Sequence, residues 1–290
     1  MSNLIGVGVA LVTPFNEDLS VDFDSLTKLV NFNIENGTNY LVILGTTAEA
    51  ATLSSEEKKQ VIDHIIKANN KRVPLVLGIG GNNTMEVKKQ IEEADLSDFD
   101  AVLSVSPYYN KPNQEGLYQH YKALASTGKN IIIYNVPSRT GQNIEASTTL
   151  RLAEDFPNLI MIKEAAPNIL QYFDILRLKP GNFNLVSGDD EFTLPVTLAG
   201  GNGVISVIGQ GYPKQFSTMV QLAFDGKVKE AYEIHNKLVE ITRLIFAEGN
   251  PAGIKTVLAE LGIIKNYLRL PLVAASNGLQ EKLKAEMAKI

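Results

Sequence analysis

Apolar and polar positions alternate along this chain in two rhythms. Eight short apolar runs stand at 6–12 ("GVGVALV"), 40–45 ("YLVILG"), 74–80 ("PLVLGIG"), 101–107 ("AVLSVSP"), 130–136 ("NIIIYNV"), 159–165 ("LIMIKEA"), 184–190 ("NLVSGDD") and 203–209 ("GVISVIG"). Between them lie stretches of about 10–15 residues with apolar positions at helical spacing, the pattern of βα units on a parallel sheet. Two of these stretches carry explicit end signals. "SLTKLVNFNIENG" closes on Gly37, and "SSEEKKQVIDHIIKANN" opens on serine and glutamates, as a capped helix does. Eight such units predict an α/β fold, a (β/α)8 TIM barrel over residues 1–225. A doubly wound sheet is the alternative. No run is followed by a GxGxxG turn, and "GIGGNN" has the wrong spacing.

After residue 225 the strand pattern stops. "KVKEAYEIHNKLVEITRLIF" reads as a long amphipathic helix. "NPAGIKTVLAELG" reads as a second, with Asn250 at the N-cap, Pro251 at the first helical position and Gly262 past the end. "SNGLQEKLKAEMAKI" is a third. A C-terminal helical domain is therefore expected over 226–290, with no low-complexity linker before it.

Composition narrows the function by exclusion. The net charge of -5 gives no bias toward nucleic acid or an anionic membrane. There is no cysteine, so disulfides and thiolate metal sites are ruled out. The three histidines, His64, His120 and His235, have no ligand spacing. No run approaches the roughly 18 apolar residues of a membrane span. The first run, Leu4 to Val12, has no basic segment before it and no cleavage pattern after it. A cytoplasmic protein is expected.

Active sites of such barrels lie at the C-terminal ends of the strands. There this chain carries "GTTAE" (45–49), "SPYYNKP" (106–112), "YNVPSRTG" (134–141), "KEA" (163–165) and "SGDD" (187–190). Lys163 closes an apolar strand, and a dry setting favours the neutral amine, the form that attacks a carbonyl. Glu164 falls on the opposite face by strand alternation. Tyr134 ends the neighbouring strand, where a phenol can shuttle protons for that amine. Thr46 and Thr47 offer hydroxyls and backbone N–H groups suited to a small carboxylate. Asp189 and Asp190 lack a third ligand and suit hydrogen-bonding or capping roles. Each residue also has a plain reading: a snorkelling lysine, a packed tyrosine, a turn threonine.

Taken in order and with barrel spacing, "GTTAE", "SPYYNKPNQEGLYQHY", "YNVPSRTG", "IKEA", "SGDD" and "GVISV" resemble the pyruvate-dependent Schiff-base lyase and aldolase superfamily over essentially the full chain. Within it the chain is similar to the dihydrodipicolinate synthase branch. The resemblance implies condensation of pyruvate with L-aspartate 4-semialdehyde to 4-hydroxy-tetrahydrodipicolinate, in diaminopimelate and lysine biosynthesis. It implies a (β/α)8 barrel with a C-terminal helical domain, and a homotetramer built as a dimer of tight dimers. Lys163 would form the Schiff base. Tyr134, Thr47 and Tyr109 would make the proton relay, with Tyr109 reaching the neighbouring subunit's site. Thr46 and Thr47 would hold the pyruvate carboxylate, and the backbones of Gly188 and Ile205 would line the site. Arg139 would grip the carboxylate of the second substrate bidentately. No metal or organic cofactor is implied, since the lysine supplies the electron sink.

Relatives that cleave sialic acid or sugar acids share the Tyr and Lys positions but generally lack an arginine in the stretch matching "PSRTG". Arg139 is thus the main sequence argument for the synthase. A non-catalytic keto-acid sensor would need neither Lys163 nor Tyr134. One departure is Ala48, where the family loop usually has glycine. Alanine resists positive φ, so the loop must use an ordinary backbone region there. Asn82, Glu86 and Tyr108 match the lysine-binding regulatory site of feedback-inhibited members. Ser55 and Lys58 replace histidines found in some of them. Lys58 would oppose the ammonium of bound lysine, so weak or absent inhibition is expected.

Overall fold

The computed structural model describes residues 4–290. Eight strands, β1 (Gly6–Ala10), β2 (Tyr40–Ile43), β3 (Leu75–Gly78), β4 (Ala101–Val105), β5 (Ile131–Asn135), β6 (Leu159–Glu164), β7 (Asn184–Ser187) and β8 (Gly203–Ser206), close into a barrel in sequence order. The TIM-barrel expectation holds. Every predicted strand ran one to three residues too far at its C-terminal end. Most of those extra residues are apolar or small, and the first of them often still donates to the neighbouring strand, as Leu11, Ile79, Ser106, Ala165 and Gly188 do, before the chain turns out of the barrel.

The chain forms two compact units. One runs over Pro74–Ile205 together with residues 4–6. Its core lies between strands and helices. Val102, Ile131, Ile133, Ile162 and Leu185 from the strands pack with Leu117, Tyr121, Leu152, Tyr172, Ile175 and Val196 from the helices. Successive strand residues face opposite sides. Ile131 and Ile133 therefore mark the helix-facing row of β5, and Ile162 that of β6. The next residues in these rows are Asn135 and Glu164. Ile132, Tyr134, Met161 and Lys163 belong to the opposite, barrel-facing rows.

The other unit comprises Val7–Val73 and Ser206–Ile290. Here Gly8 is partnered with Tyr40 across β1 and β2. A Cβ on Gly8 would lie 2.1 Å from the Tyr40 ring, so glycine is what lets that fully buried ring fit. The helix Ser55–Asn69 has the expected capping box: Ser54 Oγ accepts from Glu57 N–H and Glu57 accepts from Ser54 N–H. Three helices follow at Val228–Phe246, Ala252–Glu260 and Asn277–Met287. The middle one starts later than expected. Its N-cap is Pro251, not Asn250, and the Asn250 side chain is committed elsewhere. No helix among the described residues is long and apolar enough to cross a membrane.

Candidate active site

Tyr134 and Lys163 are register partners at the C-terminal ends of β5 and β6. Both are buried. The Lys163 Nζ lies 4.3 Å from the centroid of the Tyr134 ring. An amine and a phenol are thus held side by side at the end of the barrel where such folds do chemistry. The apolar residues that precede them, Ile132 and Ile133, Met161 and Ile162, are fully buried and hold both strands in place.

Gly188 completes this corner. Its N–H donates to the Glu164 carbonyl at 2.6 Å. A Cβ there would meet Ala165 Cβ at 2.8 Å, and both the Glu164 carbonyl and Lys163 Cε at 3.0 Å. The aliphatic stem of Lys163 therefore runs directly past Gly188. Ile205, on β8, is fully buried. Asp189 caps the chain beyond β7, its Oδ1 accepting from Glu191 N–H at 2.9 Å and Phe192 N–H at 3.4 Å. Burial pushes its carboxyl up.

Arg139 sits in the short helical turn Pro137–Thr140 just beyond β5, and is exposed. The turn ends at Gly141, with φ of 69°. The Lys111 stem lies over it, so that a Cβ on Gly141 would be 2.7 Å from Lys111 Cε. Tyr109 is 89% exposed and in left-handed backbone, φ 71°. Near it, Asn82 Nδ2 donates to the Tyr108 carbonyl at 3.1 Å, and Asn110 Nδ2 to the Asn82 carbonyl at 2.9 Å. Glu86 stands in the first turn of the helix Thr84–Glu93 and accepts from Gln90 Nε2 at 3.1 Å.

Thr46 and Thr47 lie in the other unit, in a single 3-10 turn, Thr46–Ala48. Thr46 is exposed and Thr47 buried. Ala48 keeps a negative φ, and the left-handed position falls instead on Glu49, φ 53°. Ala48 therefore needs no backbone conformation that only glycine favours. Asn250 Nδ2 donates to Thr47 Oγ1 at 2.9 Å, which leaves the threonine proton free to point at another acceptor. Glu49 is fully buried and accepts from Lys255 Nζ and from Arg269 N–H. Lys255 also donates to the Tyr267 carbonyl and lies 4.2 Å from the Phe15 ring centroid. Burial pulls its ammonium down to about 8, against the pull of Glu49.

A sequence model of the Dihydrodipicolinate synthetase family matches residues 3–290. The chain belongs to that family. It is 56% identical over 284 residues to the 4-hydroxy-tetrahydrodipicolinate synthase of Flavobacterium psychrophilum, covering 98% of this chain and 97% of the relative. It is 52% identical to the enzyme of the same name from Parabacteroides distasonis, over 97% of this chain and 95% of the relative. Among solved structures, the chloride-inhibited dihydrodipicolinate synthase from Acinetobacter baumannii complexed with pyruvate superposes with a TM-score of 0.95. It is 41% identical, with 99% of this chain and 98% of that one covered.

For a Dihydrodipicolinate synthetase family member, one group of residues had escaped the sequence. Glu164, set aside as merely facing away from Lys163, is fully buried in a polar cluster with Asn135, Asn143 and Gln171. Burial pushes its carboxyl up to about 7, opposed by the hydrogen bonds from Asn135, Ala166 and Gln171. The only sequence signal was the break from apolar to polar in the helix-facing rows of β5 and β6.

Proposed function

We propose that this chain condenses pyruvate with L-aspartate 4-semialdehyde to 4-hydroxy-tetrahydrodipicolinate, through a Schiff base on Lys163. The observation that carries the reading is the buried Lys163 amine 4.3 Å from the Tyr134 ring on partnered strands. In the neutral form, the Lys163 Nζ lone pair attacks C2 of pyruvate. Tyr134 moves protons to the departing oxygen, which leaves as water. The protonated imine withdraws electrons, so a methyl proton is lost and an enamine forms. Its carbon attacks the aldehyde carbon of the semialdehyde, whose carboxylate Arg139 grips. The amine of the condensed substrate then adds to the imine carbon, displaces Lys163 and closes the ring.

Thr47 and Tyr109 join Tyr134 in the relay, and Thr46 and Thr47 hold the pyruvate carboxylate. The backbones of Gly188 and Ile205 line the site. Tyr109 serves the neighbouring subunit of a cytoplasmic homotetramer, a dimer of tight dimers. Its 89% exposure, and that of Leu170 at 66% on the helix Ile169–Leu178, support an assembly. Residues 1–225 are the catalytic barrel and 226–290 the helical extension; among the described residues no strand follows Ser206. Asn82, Glu86 and Tyr108 form a weak or silent lysine site, because Lys58 opposes the effector's charge.

The test is NADPH consumption in a mixture of the protein, both substrates and the next reductase of the pathway. Loss that needs both substrates supports the synthase. An adduct trapped by borohydride with pyruvate, but no NADPH loss, would make the chain a Schiff-base aldolase with a different acceptor. Lys163→Ala must abolish the adduct, and Arg139→Ala must keep it while losing turnover with the semialdehyde.

A further inference from the structure

One step along the chain from Tyr134 and Lys163 is a second register pair, Asn135 and Glu164. It faces the helices. Glu164 there receives only donors. Asn135 Nδ2 donates to Oε1 at 2.8 Å and to Oε2 at 3.1 Å, Ala166 N–H to Oε1 at 2.7 Å, and Gln171 Nε2 to Oε2 at 2.8 Å. These donors all favour the ionised form against the upward push of burial, and in that form the group has no proton to give, so it dictates which end each amide presents. Asn135 and Gln171 must turn their NH2 groups inward. Their oxygens are then aimed outward, at fixed targets.

Those targets lie in the segment that follows the Arg139 turn. Asn135 Oδ1 accepts from Ile144 N–H at 3.0 Å, and Gln171 Oε1 accepts from Asn143 Nδ2 at 2.8 Å. Asn135 Nδ2 also reaches Asn143 Oδ1 at 2.8 Å, and Gln171 Nε2 the Ile144 carbonyl at 3.1 Å. The chain that carries Arg139 leaves the sheet at Asn135 and is fastened back to that residue at Ile144. Asn135, Glu164, Ile144 and Gln171 are buried, and Asn143 is half-buried. Every amide in the closed loop of bonds has one allowed orientation, set by one carboxylate.

We propose that Glu164, Asn135, Gln171 and Asn143 form a positioning device that fixes the Arg139 turn relative to Lys163, so that the second substrate's carboxylate and its aldehyde carbon are presented together to the enamine. The proposal rests on the assignment of Arg139 to that carboxylate. None of the four residues touches substrate. Their effect is geometric, and it falls on the second substrate alone, because pyruvate is held by Lys163 before Arg139 acts. Glu164→Gln puts an N–H where the site supplies only N–H groups, and forces amides to rotate toward Asn143. Asn143→Ala removes the side-chain part of the tether, and leaves the two bonds of the Ile144 backbone and the carboxylate in place.

The experiment measures KM for each substrate, together with the borohydride-trapped pyruvate adduct, in Asn143→Ala, Asn143→Ser and Glu164→Gln, with Arg139→Ala as reference. Misplacement by an ångström can cost up to a hundredfold, so a rise of about tenfold or more in the semialdehyde KM is expected. The pyruvate KM and adduct yield stay within about twofold of the parent, a split that general loosening of the fold would not produce. Asn143→Ser shortens the tether without removing its polarity, and gives an intermediate value. A semialdehyde KM unchanged in both Asn143 variants but raised in Arg139→Ala overturns the device while sparing the arginine. Both KM values rising in proportion overturns it as well. No effect in Arg139→Ala removes the premise and the proposal with it.

Discussion

Lys163 Nζ rests 4.3 Å from the centroid of the Tyr134 ring, and the two residues are register partners on β5 and β6. The ring and its hydroxyl are therefore separable. Tyr134→Phe keeps the packing against Lys163 and removes the hydroxyl to which the proposed function assigns proton transfer. We expect turnover to fall about 10²–10⁴-fold, the usual size of a lost general acid–base group, with the melting temperature little changed. Trapping of the pyruvate adduct slows but still goes to completion. Coupled-assay kcat and mass spectrometry of the trapped protein check both halves.

Gly188→Ala tests how closely the lysine stem is confined. The new Cβ would stand 3.0 Å from Lys163 Cε and from the Glu164 carbonyl. The carbonyl is backbone and cannot yield, so Lys163 is displaced. Overpacking of this kind costs about 1–3 kcal/mol. Adduct formation should drop at least tenfold or so, beyond what that loss of stability explains. Normal trapping rates in a folded Gly188→Ala protein would show that the lysine has room to spare.

Lys255 and Glu49 are both fully buried and paired. Lys255→Met leaves Glu49 without its charged partner in the interior, a change that costs about 3–5 kcal/mol. Adding Glu49→Gln should recover much of that loss in urea denaturation. Equal stabilities for the single and double variants would mean the pair is not coupled.

His120 is buried, with Nδ1 2.9 Å from Thr84 Oγ1 and Nε2 without a partner. Burial pulls it down to about 4 from an ordinary 6.5. Its folded-state value is depressed, so the unfolded chain takes up a proton first as pH falls. The stability from the neutral ring is complete above about pH 6.5 and is lost progressively toward pH 4, by roughly 3 kcal/mol at most. His120→Leu should flatten that part of the stability profile.

Lysine added to the assay should inhibit weakly or not at all, because Lys58 carries the same charge as the effector's ammonium. Lys58→His then raises sensitivity. Full inhibition of the parent protein at sub-millimolar lysine would overturn the assignment.

The barrel was legible because a buried strand and an amphipathic helix differ in period, and eight alternations leave few folds open. Strand ends were less so, since the turns after them stay apolar, as at Val207 and Ile208. Lys163 and Tyr134 stood out because a charge and a phenol ended otherwise apolar runs. The roles of Asn250 and Glu164 did not. Asn250 looks like a helix cap beside Pro251, and only the fold turns its amide to Thr47. The partners of Glu164 come from β5, the segment after the Arg139 turn and the helix Ile169–Leu178, and no local pattern links them.

Lys163 and Tyr134 on one side, and the Glu164 cluster on the other, are neighbours on the chain but face opposite sides of the sheet. A strand shifted by a single residue exchanges its two faces. Deleting one residue upstream in β6 would carry Glu164 into the barrel-facing place of Lys163 and bring Lys163 into the apolar, helix-facing place of Ile162. Point substitutions in β5 and β6 are therefore the milder injury. In these two strands a change of length by one residue disturbs more side chains than any single substitution does.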